Sequence, residues 1–173
     1  TIGNGRAIAT LFAREGARVL CVDRIGERAE ATATEINGIA FEADITDASA
    51  CAAIVAEANA KLGGVDILIN NVGIGGGGDG PAHLADEAAF DRIMSVNLKG
   101  AWLTIKAATP ALRESKGAIV NISSLASLAG SGMIAYEVSK AALNRLTVSV
   151  ALANAKHGVR CNAILPGLMD TPM

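Results

Sequence analysis

The sequence contains few aromatic residues and no block of like charge. Aromatic side chains account for 3% of its 173 residues, the formal net charge is −2, and the basic residues are scattered along the chain. No nucleic-acid partner is expected, because proteins that bind nucleic acids carry a basic patch that neutralises phosphates. The longest apolar runs, such as Val65–Asn71 with its Asp66, are too short to cross a bilayer, so no membrane partner is expected.

The sequence also lacks clustered cysteine and histidine residues. Cys21, Cys51 and Cys161 lie far apart, and His83 and His157 stand alone. This spacing predicts no metal site and indicates buried, reduced thiols that behave as small apolar side chains. The start of the chain shows no pattern of a secretory signal. A cytoplasmic protein without disulfide bonds is the resulting expectation.

Short β-branched runs alternate with longer, alanine-rich stretches of helical character. The predicted strands are Arg18–Val22, Ile39–Ala43, Val65–Asn70, Ala118–Ile122 and Arg160–Leu165. The predicted helices are Arg6–Glu15, Glu27–Asn37, Ala48–Leu62, Asp86–Arg113 and Ile134–His157. This alternation predicts βαβ units in one domain spanning residues 1–173, and hence a doubly wound parallel β-sheet with helices on both faces.

Both ends of the chain look incomplete for such a fold. The chain opens on a glycine-rich turn, with Gly3 and Gly5, and no strand precedes it. A phosphate-binding turn normally follows a strand, because strand and helix together aim the helix N-terminus at the ligand. At the other end, Pro166 and Gly167 begin a loop that stops at Met173. We therefore expect the first strand and a C-terminal portion to be absent from this sequence.

Gly3 and Gly5 are consistent with the last two glycines of a dinucleotide-binding turn. Glycine lets the backbone approach a pyrophosphate, and the following helix presents free N–H groups to it. Taken alone, a plain turn is the commoner explanation. Asp23 follows about twenty residues later, where an acid can bond the adenosine ribose hydroxyls. Its carboxylate would repel a 2′-phosphate, which favours NAD over NADP; the alternative is that Asp23 merely starts a turn.

Tyr136 and Lys140 are four residues apart and therefore share a face of the predicted helix. An ammonium group beside a phenol, together with a positive nicotinamide ring, stabilises the phenolate. An ordinary surface pair is the alternative, but Tyr136 is the only tyrosine and follows closely on Ser123 and Ser124. A hydroxyl at the carboxyl edge of a parallel sheet faces the ligand crevice and can donate to a substrate carbonyl oxygen. The two serines could otherwise simply end a strand.

Together these segments resemble the short-chain dehydrogenase/reductase family over the whole length of the chain. The resemblance rests on seven motifs in the family's order, namely Gly3-Asn4-Gly5-Arg6, Ala43-Asp44-Ile45, Asn70-Asn71-Val72-Gly73, Ser95-Val96-Asn97-Leu98, Val120-Asn121-Ile122-Ser123-Ser124, Tyr136-x3-Lys140 and Pro166-Gly167-Leu168-Met169-Asp170-Thr171. The family has a Rossmann-type, three-layer α/β/α fold. Its members are oxidoreductases that pass a hydride between a nicotinamide cofactor and an alcohol or ketone.

The resemblance implies a role for each matching residue. Tyr136 would be the general acid/base, Lys140 would stabilise its phenolate and bond the nicotinamide ribose, and Ser124 would hold the substrate carbonyl. Asn97 would anchor a water that links Lys140 to solvent. The cofactor, NAD with NADP as the less favoured alternative, would be bound by Tyr136 and Lys140 together with Gly3, Gly5, Asp23, Asp44, Ile45, Asn71, Val72, Gly73, Ile122, Pro166, Gly167, Met169 and Thr171.

Three departures from the family pattern bear on these roles. The first glycine of the turn is absent, Val72 stands where alanine is usual, and Ser124 lies twelve residues before Tyr136 instead of the common thirteen. Ser123 has the common spacing, but loop lengths vary more readily than strand register, and a shift of one residue turns a side chain to the other face. We therefore predict Ser124 as the catalytic serine, with Ser123 as the alternative, and no loss of function from Val72.

Two other functions remain open at this stage. Nucleotide-sugar epimerases and dehydratases also use Tyr-x3-Lys, and a catalytically silent nucleotide-binding module is conceivable. The resemblance further implies a homodimer or homotetramer that pairs through the helices Asp86–Arg113 and Ile134–His157. A small-molecule alcohol or ketone is the expected partner, selected by the loop Ile74–Pro81 and the stretch Leu125–Ala135. The run Gly75–Gly78 suggests a mobile rim of this substrate region.

Overall fold

The computed structural model describes residues 3–169, in which five parallel strands alternate with helices. The strands are β1 (Leu20–Asp23), β2 (Ile39–Glu42), β3 (Ile67–Asn70), β4 (Ala118–Ile122) and β5 (Arg160–Ile164). The α-helices are α1 (Asn4–Arg14), α2 (Gly26–Ile36), α3 (Ala48–Leu62), α4 (Glu87–Met94), α5 (Ala101–Ser115) and α6 (Ile134–Asn154). This confirms the doubly wound α/β fold predicted from the sequence.

The strands hydrogen-bond in two groups. β1 pairs with β2, and β3, β4 and β5 pair in that order, all in parallel. Within the described residues β1 and β3 do not pair with each other, so the hydrogen-bonded ladder is continuous only inside each group. Strands pair only when they are about 4.8 Å apart, and no described strand lies between β1 and β3.

Apolar side chains of the helices cover both groups of strands. Ile105 and Leu112 of α5 pack on Ile119 of β4 and Cys161 of β5, joined by partly buried residues of α3 and α6. A smaller cluster joins α1, α2, β1 and β2 through residues that include Ala9, Cys21 and Ala33. Small residues allow these helices to lie close to the strands, which explains the high alanine content. All three cysteines are buried and free, as the sequence predicts.

The longest predicted helix is interrupted, and this is the main correction to the element boundaries. Instead of one helix over Asp86–Arg113, α4 passes into a π-helix at Ser95–Gly100 and then into α5. A π-turn accommodates about one more residue than an α-helical turn and is frequently found at functional sites. The other helices and strands begin and end within three residues of their predicted bounds. No described helix is long and apolar enough to cross a membrane.

Candidate active site

The site is built at the carboxyl ends of β3 and β4, where the first turns of α6 approach the π-helix. Asn97 lies in the π-helix and is completely buried. Its amide nitrogen donates to the Ile74 carbonyl at 2.9 Å and to Ser139 Oγ at 3.0 Å, while its oxygen accepts from Ile74 N at 2.8 Å. Asn97 therefore holds the loop after β3 and helix α6 together. Both hydrogens of the Asn97 side-chain amide are used in these bonds. The predicted role of Asn97 in anchoring a water stays a prediction.

Lys140 lies beneath this loop and is 3% exposed. Its Nζ donates to the Ile122 carbonyl at 2.8 Å and lies 5.7 Å from the centroid of the Tyr136 ring. Burial lowers the pKa of Lys140 to about 8, because the charged amine loses most of its hydration. An ammonium has three donors, so the bond to Ile122 leaves donors for other groups in the cleft. The structure thus brings the predicted acid/base pair together on one face of α6.

The two candidate serines point in different directions. Ser123 is buried, and its Oγ donates to the Lys140 carbonyl at 3.1 Å. Ser124 is half-buried, and its Oγ accepts from Ala126 N at 3.1 Å. The Ser124 hydroxyl hydrogen is not used in that bond, whereas Ser123 already donates to α6. This geometry supports Ser124 as the donor to a substrate, and the assignment stays a prediction.

Gly5 of the predicted cofactor turn and Gly73 lie close to neighbouring side chains, whereas Gly3 has open space where a Cβ would be. A Cβ on Gly5 would lie 2.9 Å from Asn71 Nδ2, so the start of α1 and the end of β3 are in contact. A Cβ on Gly73 would lie 2.9 Å from Lys140 Nζ. Gly3 is the N-cap of α1 and offers no side-chain acceptor to the first N–H groups of that helix. Val72, beside these residues, is 44% exposed.

The residues predicted to hold the adenosine end lie along β1 and after β2. Asp23 ends β1, and its Oδ1 accepts from Ile25 N at 2.9 Å. Asp44 accepts from Thr46 N and Thr46 Oγ1, both at 2.8 Å, and these bonds lower the pKa of the Asp44 carboxyl. Ile45 packs against the π-helix, where a Cβ on Gly100 would lie 2.8 Å from its Cδ1. Asp23 and Asp44 therefore lie on elements apart from Tyr136, and Ile45 connects this region to the π-helix.

The segment after β5 returns towards the glycine turn. The Pro166 carbonyl accepts from Leu125 N at 2.9 Å, which links this segment to the loop after Ser124. Asn4 Nδ2 lies 3.6 Å from Met169 Sδ, so the segment reaches the start of α1. Gly167 has no heavy atom within 4 Å of an ideal Cβ and is exposed. Thr171 lies outside the described residues.

These features fit a dinucleotide. The start of α1 has free N–H groups and a partial positive charge that would suit a pyrophosphate, and the Asp23 carboxylate at the end of β1 would be the predicted ribose acceptor. Lys140 has donors to spare beside the space that Gly73 leaves open. Among residues 3–169 no cluster of three His, Cys, Asp or Glu side chains could hold a metal ion.

Sequence reasoning missed a further set of residues around Tyr136. Asp79, Arg92 and Ser139 all make hydrogen bonds that hold the site together. Asp79 follows a run of four glycines, which is the only local signal, and nothing in that run predicts its partner on a distant helix. Such contacts are set by the tertiary structure, so periodicity and motif spacing do not reveal them.

The fold and this arrangement of side chains define the class of parallel α/β proteins that bind a dinucleotide at the carboxyl ends of their strands. The family model described as short chain dehydrogenase matches residues 1–173. The chain belongs to the short-chain dehydrogenase family, as the sequence motifs predicted.

Individual relatives agree with this placement. The chain is 42% identical over 180 residues to the 2-(R)-hydroxypropyl-CoM dehydrogenase of Xanthobacter autotrophicus, covering 99% of this chain and 72% of that protein. It is 36% identical to the L-fucose dehydrogenase of Mus musculus, covering 99% of this chain and 64% of that protein. A crystal structure of a short-chain dehydrogenase/reductase from Burkholderia xenovorans superposes with a TM-score of 0.93 at 37% identity, covering 100% of this chain and 71% of that one.

Proposed function

We propose that the protein is an NAD-dependent oxidoreductase that interconverts a secondary alcohol and a ketone. The observation that carries this proposal is the placement of Tyr136 above the buried Lys140, with Ser124 at the end of the neighbouring strand. The relatives named as dehydrogenases of hydroxypropyl-CoM and of L-fucose support an alcohol as the substrate.

Tyr136 acts as the general acid/base in this mechanism. When an alcohol is oxidised, the Tyr136 phenolate accepts the hydroxyl proton, and in the reverse direction the phenol returns it to the developing alkoxide. The Lys140 ammonium stabilises the phenolate, and Ser124 donates a hydrogen bond to the substrate oxygen as negative charge builds on it. The nicotinamide coenzyme, when bound, supplies or accepts the hydride.

The coenzyme is held by backbone groups at one end and by charged side chains at the other. The free N–H groups at the start of α1 and the backbone from Asn71 to Gly73 line the pyrophosphate and nicotinamide side. Asp23, together with Asp44 and Ile45, takes the adenosine. The carboxylate of Asp23 repels a 2′-phosphate, so we infer a preference for NAD over NADP.

The test is the variant Tyr136→Phe, assayed with NAD and with NADP against a panel of secondary alcohols and ketones. Loss of the acid/base should lower kcat at least about 100-fold, because general acid/base catalysis contributes that much or more. The dissociation constant of NADH should stay within about twofold of the wild-type value, since the ring is kept.

Three outcomes would contradict parts of this proposal. Wild-type turnover in Tyr136→Phe would rule out the mechanism. Tight NADH binding by the wild-type protein without turnover of any substrate would favour a catalytically silent nucleotide-binding module. A kcat/KM that is equal or higher with NADP would show that Asp23 does not set the coenzyme preference.

We also infer a homo-oligomer in the cytoplasm. A mainly apolar groove between α4, the π-helix, α5 and α6 is lined by Met94, Leu98, Trp102 and Leu146, together with Asp91, Ser95 and Lys99, and Trp102 is 44% exposed. A groove of this kind suits the same face of a second copy, since most oligomers close through self-complementary patches. The three free, buried thiols support a reducing compartment.

A further inference from the structure

The first turn of α6, which contains Tyr136, is capped by a residue from a distant loop. The Oδ1 of Asp79 accepts from Ala135 N at 3.0 Å, and its Oδ2 accepts from Tyr136 N at 3.0 Å. Met133, the N-cap residue of α6 in the chain itself, makes no side-chain capping bond. A carboxylate at this position satisfies two N–H groups that have no partner inside the helix and faces the positive end of its dipole. Asp79 therefore supplies the cap that the local sequence lacks.

The loop that carries Asp79 is itself fixed to α4. Arg92 of α4 donates to the Gly77 carbonyl at 2.9 Å and to the Gly76 carbonyl at 3.3 Å, and Asp86 N donates to the Gly78 carbonyl at 2.9 Å. Gly76, Gly77 and Gly78 all have positive φ, a conformation that other residues adopt only with strain. The glycine run thus builds a specific path between α4 and α6, and the mobility suggested by the sequence stays a prediction.

The same loop also lies against the ring of Tyr136. A Cβ on Gly75 would be 3.3 Å from Tyr136 Cδ2, so the loop backbone passes close to the Cδ2 side of the ring. The Gly80 carbonyl accepts from Ile134 N at 3.0 Å and adds a third bond between the loop and the start of α6. The backbone and the ring of Tyr136 are consequently both held by residues 75–80.

Glu137 holds the other side of this helix start. Its carboxylate accepts hydrogen bonds from Met133 N and from the Ser131 hydroxyl, and the bonds from Ser131 lower the pKa of the Glu137 carboxyl. These contacts fix the turn that precedes α6 to the helix, but they do not connect α6 to the loop after β3. At the start of α6 that connection is made by the Asp79 carboxylate and the Gly80 carbonyl, and one turn further on by Asn97 through Ser139.

We propose that Asp79 is a positioning residue for Tyr136, which it holds in register with Lys140 and the substrate oxygen. The proposal rests on the proposed function of Tyr136 as the acid/base. A misplacement of about 1 Å in a reacting group can cost as much as 100-fold in rate. The bidentate geometry requires a carboxylate, because an amide would turn one N–H donor towards a backbone N–H.

The variant Asp79→Asn tests this proposal, and Asp66→Asn is its matched control. Asp66 is exposed and directly precedes β3, at the end of that strand away from the site, so its variant removes the same charge without freeing α6. We expect Asp79→Asn to lower kcat about tenfold or more, with the KM for NAD and the NADH dissociation constant within about twofold of wild type. Asp66→Asn should keep the wild-type kcat.

A double-mutant cycle separates positioning from general loss of structure. In the Tyr136→Phe background, Asp79→Asn should change the residual rate by less than about twofold, since the group it positions is gone. Asp79→Ser keeps one acceptor oxygen and should give a kcat between those of wild type and Asp79→Asn. This milder variant serves if Asp79→Asn does not fold, as judged by circular dichroism and thermal melting.

The outcomes for this proposal and for the proposed function can be told apart. A wild-type kcat in the Asp79 variants, with Tyr136→Phe inactive, would overturn the positioning role and leave the acid/base assignment intact. An equal loss of rate in both backgrounds, or a parallel rise in the KM for NAD, would show a merely structural role and would also overturn it. Full turnover in Tyr136→Phe itself would overturn the proposed function.

Discussion

At the scale of single residues, burial of the Lys140 amine beside Tyr136 lowers the free energy of unfolding. Its amine is 3% exposed and bonded to the Ile122 carbonyl, and burial lowers its pKa from 10.5 to about 8. The folded protein therefore binds fewer protons than the unfolded chain between these two pH values, so stability rises with pH across that window. Below about pH 8 the whole penalty is present, and a shift of this size corresponds to about 3 kcal/mol.

Replacing Lys140 with methionine should remove this penalty. The variant also leaves the Ile122 carbonyl without its donor, at a cost of about 1 kcal/mol, so the net gain in the free energy of unfolding is about 2 kcal/mol at pH 7. The gain should shrink as pH rises from 8 to 10.5, where the wild-type amine loses its proton in both states. Urea unfolding at several pH values measures this.

Lys61→Met is the control for Lys140→Met, because Lys61 lies exposed in the last turn of α3. It changes the net charge equally and should show no such pH-dependent gain. A difference between wild type and Lys140→Met that stays constant from pH 7 to 10.5 would contradict the account of a buried charged amine.

At the scale of elements, the π-helix joins the two ends of the proposed cofactor site. Asn97 in this segment bonds the loop after β3 and α6, while Gly100 in the same segment packs against Ile45. A Cβ on Gly100 would lie 2.8 Å from Ile45 Cδ1 and 2.9 Å from its Cγ1, so the contact leaves no room for a side chain. The π-helix therefore depends on a glycine at the point where it touches the segment after β2.

The variant Gly100→Ala should displace Ile45. Alanine is the better helix former by about 1 kcal/mol, but overpacking costs about 1–3 kcal/mol, so a lower free energy of unfolding is expected. Because Ile45 follows Asp44, the KM for NAD should rise several-fold while kcat changes less. Chemical unfolding and steady-state kinetics measure the two effects.

The double variant Gly100→Ala with Ile45→Ala serves as the matched test of the contact. Removing the Ile45 side chain relieves the clash, so the double variant should be less destabilised than the sum of the two single variants. Strict additivity would show that Gly100 is required for another reason.

At the scale of the whole molecule, a buried chain of polar side chains ties the helices to the sheet. Thr104 of α5 donates to Asn70 Oδ1 at 2.7 Å, and Asn70 donates to Asn121 Oδ1 at 2.9 Å across the β3–β4 pair. Asn121 in turn donates to Thr147 of α6 at 2.8 Å. Buried polar groups that are satisfied in this way fix one register between helix and strand. This series of hydrogen-bonded side chains therefore holds α6, which carries Tyr136, against β4, which precedes Ser124.

The proposed oligomer makes its own prediction at this scale. Trp102→Asp places a carboxylate in the apolar groove formed with Met94, Leu98 and Leu146, and in a self-complementary interface each substitution occurs twice. Burying an unpaired carboxylate is unfavourable, so the variant should elute as a monomer where the wild type elutes as a dimer or tetramer. Size-exclusion chromatography with light scattering measures this, and Leu84→Asp, an exposed position outside the groove, is the control. An unchanged mass for Trp102→Asp would place the interface elsewhere.

The sequence by itself determined the order of strands and helices along the chain and placed Tyr136 and Lys140, the proposed acid/base pair, on one face of a helix. Apolar periodicity and turn residues are local signals, and the spacing of Tyr136 and Lys140 is read within one helix. The match to the short-chain dehydrogenase family was visible for the same reason, since its motifs lie at the ends of successive elements.

Only the tertiary structure decided what surrounds that pair. The π-helix around Asn97, the inward turn of Ser123 and the cap that Asp79 places on α6 depend on contacts between segments far apart in the chain. Such contacts form only when the sheet brings the strand ends together, so no local sequence pattern predicts them. Tyr136 and Lys140 were predictable as neighbours on a helix, whereas the loop that holds Tyr136 in place was not.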